Sequence, residues 1–247
     1  MKNRKKVFSL RYIDFHTHIL PEMDDGAETI EDALSMLKAA KESGAETVIL
    51  TPHYQYGMPV SDFCNRRREK LSLLKAAMRK DGGSFPNLLV GAEVLIDGAL
   101  SDLPDLSRLC IEGTDLILLE LPYSHWNDWH FQEVYRIIAE RNLSPVMAHI
   151  ERYLKKAEDI AKIDKLISIG ARFQINAQPF LTFSGKRVIR TLAAEGLISA
   201  IGSDCHDMKH RSPDITRATN VFAKKFGDPF FDYLYNKTSK LLSEHSI

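Results

Sequence analysis

Residues 115–121 read DLILLEL, an apolar run interrupted only by Glu120 near its end. A strand with one wet face alternates apolar and polar residues, whereas a run that is apolar on both faces belongs in a sheet covered on both sides. The same texture recurs at 46–50 (ETVIL), 144–148 (SPVMA) and 197–202 (LISAIG). Between these runs the period lengthens to that of amphipathic helices. Gly44, Gly170 and Gly196 each follow such a helical stretch, the position where a left-handed C-terminal residue is needed.

Working outward, seven strands are expected, at Tyr12–His16, Thr47–Thr51, Leu88–Leu95, Leu116–Leu121, Pro145–His149, Phe173–Asn176 and Ile198–Ser203. Helices are expected at Thr29–Ser43, Phe63–Lys80, Phe131–Arg141, Ile160–Ile169 and Arg187–Glu195, with a helical tail from Ile215. Buried strands alternating with helices over 247 residues fit a closed or nearly closed parallel α/β barrel of the TIM-like kind, with a doubly wound open sheet as the alternative. The link from Ile96 to Asp115 is weakly helical, so the barrel is expected to be irregular there. One domain, 1–247, is expected, with residues 1–10 as a basic extension.

The bulk properties exclude several classes. Lys plus Arg and Asp plus Glu are both 33, so no net field favours nucleic acid. No apolar run approaches the roughly 20 residues of a membrane span, so stable membrane insertion is not expected. Three cysteines, Cys64, Cys110 and Cys205, are too few for a disulfide framework and point to a reducing cytoplasm.

Strand after strand then stops at a residue that can bind a metal. The first ends in His16 and His18, the second in His53; the third carries Glu93 and the fourth Glu120; the fifth ends at His149 and the seventh at Asp204 and His206. In a parallel barrel these ends open onto one face, where active sites are built. Any one of these residues alone reads as an ordinary loop or core residue. Their recurrence at corresponding positions reads as a metal or catalytic cluster. Asp25, beside Gly26 in the loop after the first strand, joins it as a further carboxylate. Nitrogen and oxygen donors without thiolates favour Mn, Fe, Zn or Co over a structural thiolate site.

These segments resemble the polymerase and histidinol phosphatase (PHP) superfamily, and within it the bacterial manganese-dependent protein tyrosine phosphatases of capsule and exopolysaccharide operons. The resemblance rests on IDFHTHILPEMDDGAETIEDAL, TPHY at Thr51–Tyr54, GAEV at Gly91–Val94, LLELP at Leu118–Pro122, AHIERY at Ala148–Tyr153 and GSDCH at Gly202–His206. It implies the PHP fold, an irregular (β/α)7 barrel, with three divalent ions, manganese first and Fe, Zn, Co or Mg as alternatives. Carried over, His16, His18, Glu93 and Asp204 would hold one ion. Glu93 would bridge to a second, shared with Glu120 and His149. Asp25, His53 and His206 would hold the third. Arg152 and Arg211 match the family's phosphate-binding arginines. The implied activity is hydrolysis of a phosphotyrosine protein, a bacterial tyrosine kinase tail, by metal-bound hydroxide. Hydrolysis of histidinol phosphate or another small metabolite, and a non-catalytic accessory role, are the alternatives.

Two further motifs bear on that chemistry. Cys205 and Arg211 have the Cys-x5-Arg spacing of thiolate phosphatases, but the residues between them, HDMKH, contain no glycine to form a phosphate cradle. The spacing is therefore read as coincidence. The segment Tyr123–His130 (YSHWNDWH) follows the fourth strand. Its aromatic residues either wall the site or cap the barrel, and the second is the more ordinary role. Asn176, ending the sixth strand, is in reach of the cleft.

Overall fold

The structure is a computed structural model that describes residues 11–123, 126–154, 161, 163–226 and 229–247. The basic extension at 1–10, Ser124 and His125, and Ile160 with Lys162 of the expected fourth helix lie outside the described residues.

Among the described residues nine strands form one parallel sheet: β1 (Tyr12–Thr17), β2 (Ala45–Leu50), β3 (His53–Tyr54), β4 (Asn87–Val90), β5 (Glu93–Leu95), β6 (Leu116–Glu120), β7 (Ser144–Met147), β8 (Arg172–Asn176) and β9 (Ile198–Gly202). Hydrogen bonding runs in the order β3-β5-β6-β7-β8-β9-β1-β2-β4. The count exceeds the expected seven because two runs are each broken once. β2 and β3 flank Thr51 and Pro52; β4 and β5 flank Gly91 and Ala92. Proline cannot donate to a ladder, and a Cβ on Gly91 would meet Ile111 at 3.3 Å. The single strand expected at Leu88–Leu95 is therefore corrected to two pieces. β4 pairs with β2, while β5 pairs with β3 and β6. The two ends of the sheet are thus halves of the same two runs, and the sheet curls until its edges meet at those breaks.

The helices follow from local chemistry. α1 (Ile30–Glu42) starts at Thr29, whose hydroxyl accepts from Asp32 N at 3.1 Å, and buries Ala33, Met36, Leu37 and Ala40, one face of a 3.6-residue period. α2 (Val60–Asp81) stops at Gly82, where φ is 70°. α3 (Asp128–Arg141) is capped by Asn127 and His130, and α5 (Phe183–Ala194) by Thr182. The fourth helix, expected over Ile160–Ile169, is the short α4 (Asp164–Ser168) among the described residues. The helical tail is two helices, α6 (Thr216–Phe226) and α7 (Pro229–Glu244). Among the described residues no helix is long and apolar enough to cross a membrane.

Two apolar clusters result. The larger packs the helices on the outer face of the sheet, with Met36, Leu37, Phe63, Leu74, Val134 and Val188 against strand residues such as Val48 and Ile175. The smaller gathers Ile13, Phe15, Ile49, Leu118, Val146 and Ala200 from five strands, together with Leu241 of α7. It fills the barrel interior, and α7 closes one end, with Thr238 Oγ1 donating to Ser199 O at 3.0 Å. The opposite end, where the strands finish, is left to the polar residues.

Candidate metal centre

The backbone first delivers the ligand atoms. His16 lies on β1 and His18 just beyond it; His53 begins β3, Glu93 begins β5 and Glu120 ends β6. His149 and Asp204 follow β7 and β9 in the left-handed region, with φ of 32° and 53°. Non-glycine residues rarely sit there, and such strain clusters at functional sites. The strands therefore stop just before these residues, and the reversed backbone presents both side chains to the mouth.

The side chains converge. His16 Nε2, His18 Nε2 and His53 Nε2 lie 2.9, 3.1 and 3.1 Å from Glu93 Oε2. The other oxygen, Oε1, lies 2.9 Å from His149 Nε2, which is 3.3 Å from Glu120 Oε1. Asp204 Oδ1 is 3.7 and 3.5 Å from Nε2 of His16 and His18. Asp25 Oδ1 is 3.2 Å from His53 Nδ1 and 3.4 Å from His206 Nε2. Four groups have ligand atoms within 4.8 Å of one another: His18, Asp25, His53 and His206; His16, His18 and Asp204; His16, Glu93 and His149; His53, Glu93 and Glu120. All nine residues expected as ligands fall in these groups. Asp25 is the one exposed member; His16, His18, Glu93, His149, Asp204 and His206 are buried.

Whether the donors suit a cation can be tested on the histidine tautomers. Nδ1 of His16 faces Gln174 Oε1 at 3.3 Å, that of His18 faces Asp24 Oδ2 at 2.7 Å, and that of His206 faces its neighbour's carbonyl, Asp204 O, at 3.1 Å. Each oxygen accepts, so each Nδ1 is the nitrogen that keeps a proton, and Nε2 is the one each ring has to offer a cation. His16 Nε2 and His18 Nε2 are only 3.0 Å apart, and His206 Nε2 is buried with no hydrogen-bond partner among the described residues. Lone pairs aimed at one another and at carboxylates are what divalent ions satisfy, so the residues fit the group.

The electrostatics agree. Burial opposes the charged forms, yet His53, beside Asp24 and Glu93, is raised to about 10, and His149, beside Glu120 and Glu93, to about 9. Burial likewise opposes ionised Glu93 and Asp204, but the histidines around them hold both well below the carboxylate range. The site has an excess of negative potential, which protons relieve here and cations relieve better.

Three further residues support the cluster, two of which, Asp24 and Gln174, the sequence pattern passed over. Asp24 Oδ2 accepts from His18 Nδ1 and from His53 N, both at 2.7 Å. Gln174 Oε1 accepts from His149 N at 2.7 Å as well as facing His16. Asn176 Nδ2, whose reach into the cleft was anticipated, donates to Asp204 Oδ2 at 2.7 Å. The signal for Gln174 was its period of two with Asn176 on β8. That for Asp24 was only adjacency to Asp25, which a turn explains equally well.

Arg152 and Arg211 both bond Asp204, Arg152 through Oδ2 and Arg211 through Oδ1 at 2.5 Å, and Arg152 Nη1 donates to Tyr123 Oη at 2.8 Å. Within YSHWNDWH, Trp126 packs edge-on against Tyr153 at 5.0 Å and His130 caps α3, so these follow the bland reading. Tyr123 stays 72% exposed beside Arg152. Cys205 is fully buried and its thiol is pushed well above the usual range by that burial, so it is no thiolate nucleophile.

A curled parallel barrel with nitrogen and oxygen donors at the ends of its strands places the chain among barrels built for metal ions at that mouth. The chain belongs to the CpsB/CapC family of capsular polysaccharide synthesis, whose model matches residues 12–243. It is 32% identical to the tyrosine-protein phosphatase YwqE of Bacillus subtilis, over 93% of this chain and 91% of that one. It matches a crystal structure from the work on YwqE of Bacillus subtilis and CpsB of Streptococcus pneumoniae, described as unique metal-dependent tyrosine phosphatases, with TM-score 0.79 and 30% identity over 95% of each chain. D-hydantoinase from Thermus sp. shares the fold alone, with TM-score 0.57 and 13% identity over 94% of this chain and 70% of that one.

Proposed function

We propose that this chain is a cytoplasmic, metal-dependent phosphatase of phosphotyrosine in proteins, acting on a tyrosine kinase of capsule or exopolysaccharide synthesis. The observation that carries the reading is the meeting of nine nitrogen and oxygen donors with two guanidinium groups at one barrel mouth. Family membership and relatives named tyrosine-protein phosphatases support it over the metabolite and accessory alternatives. Residues 1–247 act as one domain.

In this reading His16, His18, Glu93 and Asp204 hold one ion, and Glu93, Glu120 and His149 a second. Asp25, His53 and His206 hold the third, with manganese in all three. When bound, divalent ions supply Lewis-acid charge at the phosphoryl group and a water acidified to roughly neutral pKa. The remaining work is done by this chain. Glu93 turns its two oxygens to different histidine sets and fixes their spacing. Asp24 and Gln174 hold the rings of His18 and His16 in the tautomer that leaves Nε2 free. Arg152 and Arg211 are fixed on Asp204, from which their remaining N–H groups clamp two phosphate oxygens in bidentate geometry. Tyr123, bonded to Arg152, gives the substrate ring an aromatic neighbour.

The test is phosphate release from a phosphotyrosine peptide, with histidinol phosphate in parallel. Turnover of the peptide is expected with Mn, loss with a strong chelator, recovery on adding Mn back, and retention in Cys205→Ala. Peptide turnover that survives chelation and vanishes in Cys205→Ala would move the chemistry to the thiol.

A further inference from the structure

A groove of about 840 Å³ opens beside the metal cluster, between the segments that follow β7, β8 and β9. That volume is in the range of ligand clefts, about 300–1,000 Å³. Arg152 and Asn176 line it, and both bond Asp204. The groove is therefore continuous with the place where the phosphate is clamped, and a chain attached to a bound phosphotyrosine can leave the site along it or along the recess beside Asp25.

Charge distinguishes the two exits. The recess beside Asp25 is bounded by four carboxylates, Glu22, Asp24, Asp25 and Glu28, against Arg66 and the ring of His53. The groove presents Arg152, His210 and Arg217. Of its two carboxylates, Asp214 caps Thr216 N at 2.9 Å, and Glu151 is buried with Oε2 accepting from Asn176 N at 3.2 Å. Arg217 is exposed and makes no ion pair among the described residues. The first turn of α5, whose Ser184 and Gly185 line the groove, is capped by the neutral Thr182 hydroxyl and contains no acidic residue, so no carboxylate offsets the positive end of that helix. Pro179 and Leu181 add an apolar wall.

We infer that this groove binds the polypeptide on one side of the phosphotyrosine, and that Arg217 with the start of α5 selects acidic residues there. The inference rests on the phosphotyrosine reading above and names the substrate class of the same site. Local peptide charge then sets KM, while the metal cluster and its arginines set turnover.

The experiment uses the Mn-loaded protein and three substrates: a phosphotyrosine peptide flanked by Asp and Glu, the same peptide flanked by Lys, and phenyl phosphate. The acidic peptide is expected to have the highest kcat/KM. Arg217→Glu should raise its KM about tenfold, as a reversed charge at a rim does, and leave phenyl phosphate kinetics unchanged. Ser184→Trp, also at an exposed position, should obstruct both peptides and spare phenyl phosphate. Equal kcat/KM for the two peptides, or an acidic preference untouched by both variants, overturns the groove while phosphatase activity stands. No turnover of any phosphotyrosine substrate by the parent protein overturns both readings.

Discussion

Asp24 Oδ2 sits 2.7 Å from Nδ1 of His18, behind the ring rather than at its metal-facing edge. The same oxygen takes the backbone N–H of His53. One carboxylate therefore sets the tautomer of one candidate ligand and the position of another. Asp24→Asn should lower metal affinity by about 10–100-fold, the loss typical when a ligand's supporting partner is removed. Circular dichroism should be unchanged, and metal titration checks the affinity. Parent affinity in Asp24→Asn would reduce this carboxylate to a turn residue.

Glu93 and His149 should differ in severity. Glu93 faces four of the histidines, His149 only Glu93 and Glu120. Elemental analysis of Glu93→Ala should show metal lost from more than one position, with activity abolished. His149→Ala should retain part of the metal and also be inactive. Full activity and stoichiometry in His149→Ala would sink the trinuclear assignment.

Arg152→Ala and Arg211→Ala should leave metal content intact and cut kcat/KM by about tenfold to a thousandfold, the loss of one charge-assisted contact to phosphate. Lysine should rescue in part, keeping charge but not the fork. Parent kinetics in both alanine variants would make them surface charges.

Metal uptake should release protons. His53 and His149 titrate at about 10 and about 9, so both are protonated at pH 7 in the metal-free protein. Their pKa values are raised above the unfolded value of about 6.5. Their contribution to stability is thus full below that pH and is lost as pH rises through 9–10. Metal-free protein should lose Tm over that window, and loaded protein should lose less. Calorimetry at pH 7 in buffers of different ionisation enthalpy reads the protons directly; a buffer-independent heat contradicts the charge state.

The barrel was legible because its strands are apolar on both faces, as in DLILLEL, and eight of the nine candidate ligands lie at or close to strand ends, with Asp25 in the loop after β1. The break at Gly91 was not, because residues 88–95 are as strand-like on either side of the glycine as across it. What divides them is pairing with two different neighbours, a relation that no local pattern carries. Asp24 and Gln174 were hidden for a related reason. Gln174 acts on His16 and His149, both remote in the chain, so its role exists only once the sheet has curled, and Asp24 joins His18 of its own loop to the backbone of His53 twenty-nine residues on.

The curling also dictates when the protein can become itself. Asp14 on β1 finds its partner Ile201 on β9, and Leu241 of α7 completes the interior that Ile13 and Phe15 begin. Contacts between segments so far apart make for slow folding. During synthesis at about 5–20 residues per second, the first strand must wait roughly ten to forty seconds, with its histidines uncovered, for the last one to be made. A nascent chain in that interval exposes metal-seeking imidazoles and bare strand edges together. Chaperone capture and timing of metal delivery therefore bear on how much active enzyme a cell obtains from each round of translation.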